Sequence, residues 1–120
     1  MDMELIMSLH DRLLLDKKAE TELQIARLEK EFRQDEANLM KVRRNVLEVI
    51  RTLLKISRKE GEGAVTAYRA LMEKVTQEWS NTRELAASHQ DIQRLAVEDM
   101  KWTAYQEVIK NLDALEEGRA

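Results

Sequence analysis

The sequence has no proline and no cysteine, and of its 120 residues only three are glycine and five aromatic (two Trp, two Tyr, one Phe). Without proline, nothing in the chain forbids helix. Without cysteine, disulfides, thiolate nucleophiles and thiolate metal sites are excluded. Two of the glycines, Gly61 and Gly63, fall in one short stretch, which leaves a single one, too few for a phosphate-cradling loop. No window is free of charge over the ~18 residues that a membrane span needs. The opening Met-Asp-Met-Glu-Leu-Ile-Met is acidic where a secretory leader is basic. A soluble, cytoplasmic protein is the expectation.

What the chain does have is charge and aliphatic side chains: 36% charged and 43% apolar residues, with a net charge of −3. That composition belongs to long helices. From Ile25 to Ile56 the apolar residues Ile25, Leu28, Phe32, Leu39, Val42, Val46, Val49, Leu53 and Ile56 fall three and four apart, broken once by Asp35. A period of 3.5 residues is a coiled-coil seam. Gly61-Glu62-Gly63 is the one clear interruption, preceded by Arg58 and Lys59, which suit a helix C-terminus. A second apolar line runs through Val65, Tyr68, Met72, Val75 and Trp79, and resumes through Ile92, Leu95, Ala96, Trp102, Tyr105, Ile109, Leu112 and Leu115.

These patterns predict a single all-α domain over 1–120: one arm over about 2–60, a turn at 61–63, and a second arm over about 64–117. If the chain reverses at Glu62, Leu53 faces Met72, Val46 faces Trp79, and the lone acid Asp35 faces His89. The long antiparallel hairpin, a coiled coil roughly 80 Å in length at ~1.5 Å per residue, is the leading architecture. The alternative is a three- or four-helix up-down bundle within one chain, broken near residues 20 and 80 to 90. Thr21 with Gln24 would form a capping box at the first break, and Ser80-Asn81-Thr82 and Ser88-His89-Gln90-Asp91 offer capping residues at the second. With no Gly or Pro at any of them, continuous helix is the favoured reading at all three.

Four sets of residues are candidate sites. Asp35 and His89 form a polar pair in the seam, read as a register-fixing element more than as a metal-binding or pH-sensing one. Met40, Leu47, Ile50 and Leu54 make a second apolar stripe that a two-armed rod leaves wet, which predicts a homodimer with a four-helix section. Leu5, Ile6, Leu9, Leu13, Leu14 and Leu15 surround the first helix so broadly that one neighbour cannot cover them, and they mark a docking patch for another protein at the open end of the hairpin. Lys41, Arg44, Arg51, Lys55 and Arg58 share a face within the basic stretch Lys41–Lys59. That stripe could meet nucleic acid or an anionic membrane, or be neutralised by Glu73 and Glu78 of the other arm. Trp79, Trp102, Tyr68 and Tyr105 are expected to pack in the core.

No catalytic constellation is present. His10 and His89 lack a carboxylate three residues upstream, and neither a His-Glu-x-x-His nor a Gly-x-Ser-x-Gly occurs. The turn lacks the Trp-x-Gly of the small hairpin proteins of the WXG type, and no motif ties the chain to a family. The expected function is non-enzymatic, without cofactor or metal: a helical chaperone, adaptor or assembly factor that presents helix faces to a partner. An architectural role through the basic stripe is the alternative.

Overall fold

The computed structural model describes residues 2–118 and contains four helices with no strand: α1 (Met3–Lys30), α2 (Gln34–Ser57), α3 (Ala64–Ser88) and α4 (Ile92–Glu116). They pack as an up-down bundle measuring 44 × 34 × 24 Å. The single-chain bundle is therefore the architecture, and the long hairpin is corrected. The reversal at the glycines is real, but each expected arm folds back on itself once more.

Local chemistry explains each boundary. The Asp2 carboxylate accepts from the Leu5 amide at 2.8 Å and caps α1, while Arg27 and Lys30 occupy its last turn. Helix α1 runs unbroken through the polar stretch 16–22, as favoured. Thr21 is buried there and its hydroxyl donates back to the Lys17 carbonyl at 2.7 Å, so it does not cap a new helix. Helices α2 and α3 are joined by a 3-10 helix (Arg58–Gly63) that kinks at Gly61, where φ is +61° and ψ −118°. Only glycine adopts that conformation readily.

The two outer turns, one unannounced by the sequence and one at the possible break Ser88–Asp91, are built alike. At the end of α1, the Arg33 amide donates to the Leu28 carbonyl at 2.9 Å and the Phe32 amide to Glu29 at 3.1 Å. At the end of α3, the Asp91 amide donates to Ala86 at 3.0 Å and the Gln90 amide to Ala87 at 3.1 Å. Both are Schellman motifs, and the residue at the left-handed position is not glycine but Phe32 (φ +60°) and Gln90 (φ +54°). Asp91 then caps α4 by accepting from the Arg94 amide at 3.0 Å. Continuous helix is thus corrected at Ser88–Asp91 and holds at Ser80–Thr82.

One core joins all four helices: Ile6, Met7 and Leu14 from α1, Val46, Leu47, Ile50 and Leu54 from α2, Val65, Tyr68 and Met72 from α3, and Ala104, Val108, Leu112 and Leu115 from α4. Every one of these lies in the half of the bundle that holds the glycine turn. In the other half, which holds the turns at Phe32 and Gln90, the buried residues are fewer and smaller: Thr21, Ile25, Leu28, Ala37, Ala86 and Glu98. The bundle has a well-packed end and a loose end. Met40, Leu47, Ile50 and Leu54 are not a wet stripe: Leu47, Ile50 and Leu54 are wholly buried within the chain and Met40 half-buried. Folding each arm back supplies from α1 and α4 the cover that a second copy was expected to provide.

Candidate functional site

The loose end is where the structure leaves space. Between the first turns of α2 and α4 lies a cleft of about 390 Å³, lined by Asp35, Asn38, Leu39 and Val42 on one side and Gln93, Ala96 and Val97 on the other. The reason is side-chain volume. At the packed end the helices meet through Tyr68, Met72, Leu54 and Leu112, but here Leu39 is the one large aliphatic, and the other facing positions carry alanine, valine and polar side chains. Alanine and valine are too small to fill the gap and the polar side chains stay solvated, so apolar walls remain open to water.

Large apolar residues stand around the same end. Phe32, at the turn three residues before Asp35, is 94% exposed. Ile92, beside Gln93, is 80% exposed, and Leu23 and Leu85 are exposed as well. Phe32 holds a left-handed backbone, which costs an L-residue about 1–2 kcal/mol, and it packs against nothing that would offset this. An aromatic side chain held in water on a strained turn is a feature of sites that meet a partner.

The sequence-derived sites distribute as follows. Asp35 and His89 are both exposed, and no hydrogen bond or ion pair joins them; Asp35 borders the cleft and His89 sits on the other side of the α3–α4 turn, lining a shallow cavity with Leu85 and Arg94. The register pair is corrected, because the hairpin that would have set them face to face is broken next to each. The six-residue patch on α1 is split by the bundle: Ile6 and Leu14 enter the core, Leu13 is half-buried, and Leu5, Leu9 and Leu15 stay exposed. Trp79 and Tyr105 pack against the core and Tyr68 lies within it, whereas Trp102 is 41% exposed.

The basic stripe is largely neutralised, though by α1 rather than by Glu73 and Glu78. Lys41 pairs with Glu29 at 3.3 Å, Arg51 with Asp11 at 2.7 Å, and Arg58 with Glu4. The neighbouring Arg43 reaches across to Glu107 of α4. Arg44 and Lys55 have no ion pair among the described residues. The break after Lys30 lays the carboxylates of α1 along the basic face of α2.

One polar constellation has no counterpart in the sequence reading. His10 is fully buried in the packed end, with Nδ1 at 2.8 Å from Asn111 Oδ1 and Nε2 at 2.7 Å from the Tyr68 hydroxyl. Asn111 Oδ1 is an acceptor, so Nδ1 carries the proton and the Tyr68 hydroxyl donates to Nε2. Burial lowers the His10 pKa from 6.5, helped by the Arg69 charge and opposed by the Asn111 hydrogen bond and by Asp11. Burial likewise raises the Tyr68 pKa. The rings meet edge-on at 5.3 Å. A neutral, fully paired and sealed imidazole is a structural element, since no substrate reaches it. Histidine at an inward position of α1 was the only available signal, and its partners lie 58 and 101 residues away.

Among the described residues no group of three or more His, Asp or Glu is arranged to hold a metal ion, and no helix is long and apolar enough to cross a membrane. Comparison with protein-family models, with curated proteins and with solved structures finds no match to this chain.

Proposed function

We propose that the chain is a non-enzymatic interaction module, a chaperone, adaptor or assembly factor acting in the cytoplasm, that receives an amphipathic helix of a partner protein in the cleft between α2 and α4. The observation that carries this reading is Phe32, an exposed aromatic on a strained turn beside that cleft. Leu39, Val42, Ala96 and Val97 offer the walls that apolar anchors at i, i+3 and i+4 require. Asp35, Asn38 and Gln93 supply a polar rim that orients the incoming helix. The architectural alternative has less support, because a polyanion would have to displace Glu4, Asp11 and Glu29 from the basic stripe.

A photo-crosslinking residue at Val42, compared with one at Lys55, tests the reading in cells. Crosslinks to a defined protein from position 42, retained at high salt and abolished by Phe32→Ala, are expected. Crosslinks only from position 55, lost as salt rises, would transfer the function to the basic face. The homodimer expected from the sequence now rests on this cleft and not on Leu47, Ile50 and Leu54. A sedimentation mass twice that of the chain, reduced to one by Val42→Asp, would make the second copy the occupant.

A further inference from the structure

A second cavity lies on the opposite side of α4, where it packs on α3. It encloses about 380 Å³ and is lined by Trp79, Ser80 and Arg83 of α3 and by Glu98, Asp99 and Trp102 of α4. Glu98 is 1% exposed, an unusual place for a carboxylate. Its Oε1 is held by Lys101 Nζ at 3.1 Å and by Arg94 Nε at 3.3 Å. Its Oε2 accepts nothing, and no other buried side-chain nitrogen or oxygen among the described residues lacks a hydrogen-bond partner. A buried carboxylate oxygen left in that state calls for a donor. Both of its cationic neighbours converge on the other oxygen, so they orient the group without satisfying it.

The rest of the lining says what kind of donor fits. Two indoles line the cavity, and the indole ring attracts a cation more strongly than any other aromatic does. Glu98 and Asp99 are met by Arg94, Lys101 and Arg83, the last engaged by Asp99 at 2.6 Å, so net charge does not select the ligand; the free carboxylate oxygen and the indoles do. An anion brings no N–H or O–H for the free oxygen of Glu98. A quaternary ammonium would satisfy the indoles but has no N–H for Oε2. A primary ammonium does both: one N–H to Glu98 Oε2, a second to the Ser80 hydroxyl, and its charge against Trp79 and Trp102. We propose that this cavity is a binding site for an aliphatic primary ammonium group, carried by a free alkyl diamine or by a lysine side chain of a partner. Glu98 Oε2 is closed to water, so binding of the amine requires a side chain of the lining to move aside. The site is separate from the docking cleft, and either can fail without the other.

The chain carries its own reporter, since its two tryptophans both line this cavity. The full chain is titrated with 1,5-diaminopentane, with Nα-acetyl-lysine methylamide and with tetramethylammonium, following indole N–H resonances and tryptophan fluorescence. Saturable shifts of both indoles with a primary amine are expected, with tetramethylammonium about tenfold weaker or worse. Tighter binding of the diamine assigns a free amine, and tighter binding of the lysine derivative assigns a partner's side chain. Glu98→Gln, which keeps the shape of the side chain, weakens either by about tenfold. Trp102→Leu, at a position open enough to leave the fold intact, weakens it also. Unmoved indole resonances, equal affinity for tetramethylammonium, or undiminished affinity in a folded Glu98→Gln chain would overturn the assignment.

Discussion

At the scale of single residues, the informative ones break a local rule. Phe32 and Gln90 hold left-handed backbones that glycine would take without strain. Replacing Phe32 by glycine removes about 1–2 kcal/mol of strain and gives back about 0.5–1 kcal/mol through a more flexible unfolded chain. Phe32→Gly should therefore raise the midpoint of urea unfolding by an amount worth about 0.5–1 kcal/mol with an unchanged slope, while crosslinking at the cleft is lost. His10 breaks a different rule, being a buried titratable group. Burial holds its folded pKa below the 6.5 of the exposed imidazole. As pH falls through 6.5 the unfolded chain takes up a proton that the folded chain refuses. Stability is therefore full above 6.5 and declines from there down to the folded pKa. His10→Leu should flatten that decline yet cost about 2–3 kcal/mol at neutral pH, because the Tyr68 hydroxyl and Asn111 lose their partner. Urea midpoints measured across the acid range for both proteins check the sign and the size.

At the scale of elements, the three reversals differ in what enforces them. The 3-10 turn depends on Gly61: a methyl group added to it would meet nothing within 4 Å, yet its φ and ψ are closed to alanine. Gly61→Ala should accordingly destabilise by about 1–3 kcal/mol through backbone strain alone, whereas Gly63→Ala, with φ −84° and equal space, should change stability little. Paired thermal melts separate the two. The outer reversals are enforced by their neighbours. Arg33 ties Glu31 at 3.2 Å and Glu36 at 3.0 Å across the first, and Asp91 caps the helix after the second. α1 is then held along α2 by ion pairs, Asp11–Arg51 among them. Partly exposed pairs of this kind contribute at most about 1 kcal/mol each, so they steer α1 to its place more than they hold the bundle together.

At the scale of the whole molecule, the division into a packed and a loose end governs stability and function alike. Leu54 and its neighbours are sealed by all four helices, and Leu54→Ala should cost about 2–5 kcal/mol. Val42, on the wall of an open cleft, buries less, and Val42→Ala should cost under about 1 kcal/mol. Hydrogen exchange should follow the same gradient: amides of 46–54 and 64–72 open only with global unfolding, and those of 34–40 and 92–97 open locally. Uniform protection along α2 would contradict it. A cleft that is cheap to open is suited to a partner that must be accommodated, and docking there should slow exchange at 34–40 and 92–97 most.

The all-helical class, the reversal at Gly61 to Gly63 and the continuity of α1 through Thr21 were legible in the residues themselves, because composition, glycine placement and apolar period act locally. The apolar stripes were legible too, including Leu47, Ile50 and Leu54. What covers them was not. A heptad pattern states that a face must be buried and is silent on whether the cover is another copy or the same chain folded once more. That choice turned on breaks at Phe32 and Gln90, which carry no glycine; the hydrogen bonds that close them are local, and the packing of α1 on α2 and of α3 on α4 is what offsets their left-handed backbones. The joining of His10 to Tyr68 and Asn111, the orphaned oxygen of Glu98 on a cavity that two tryptophans also line, and the separation of Asp35 from His89 belong to the tertiary structure alone, since each depends on which helices lie side by side.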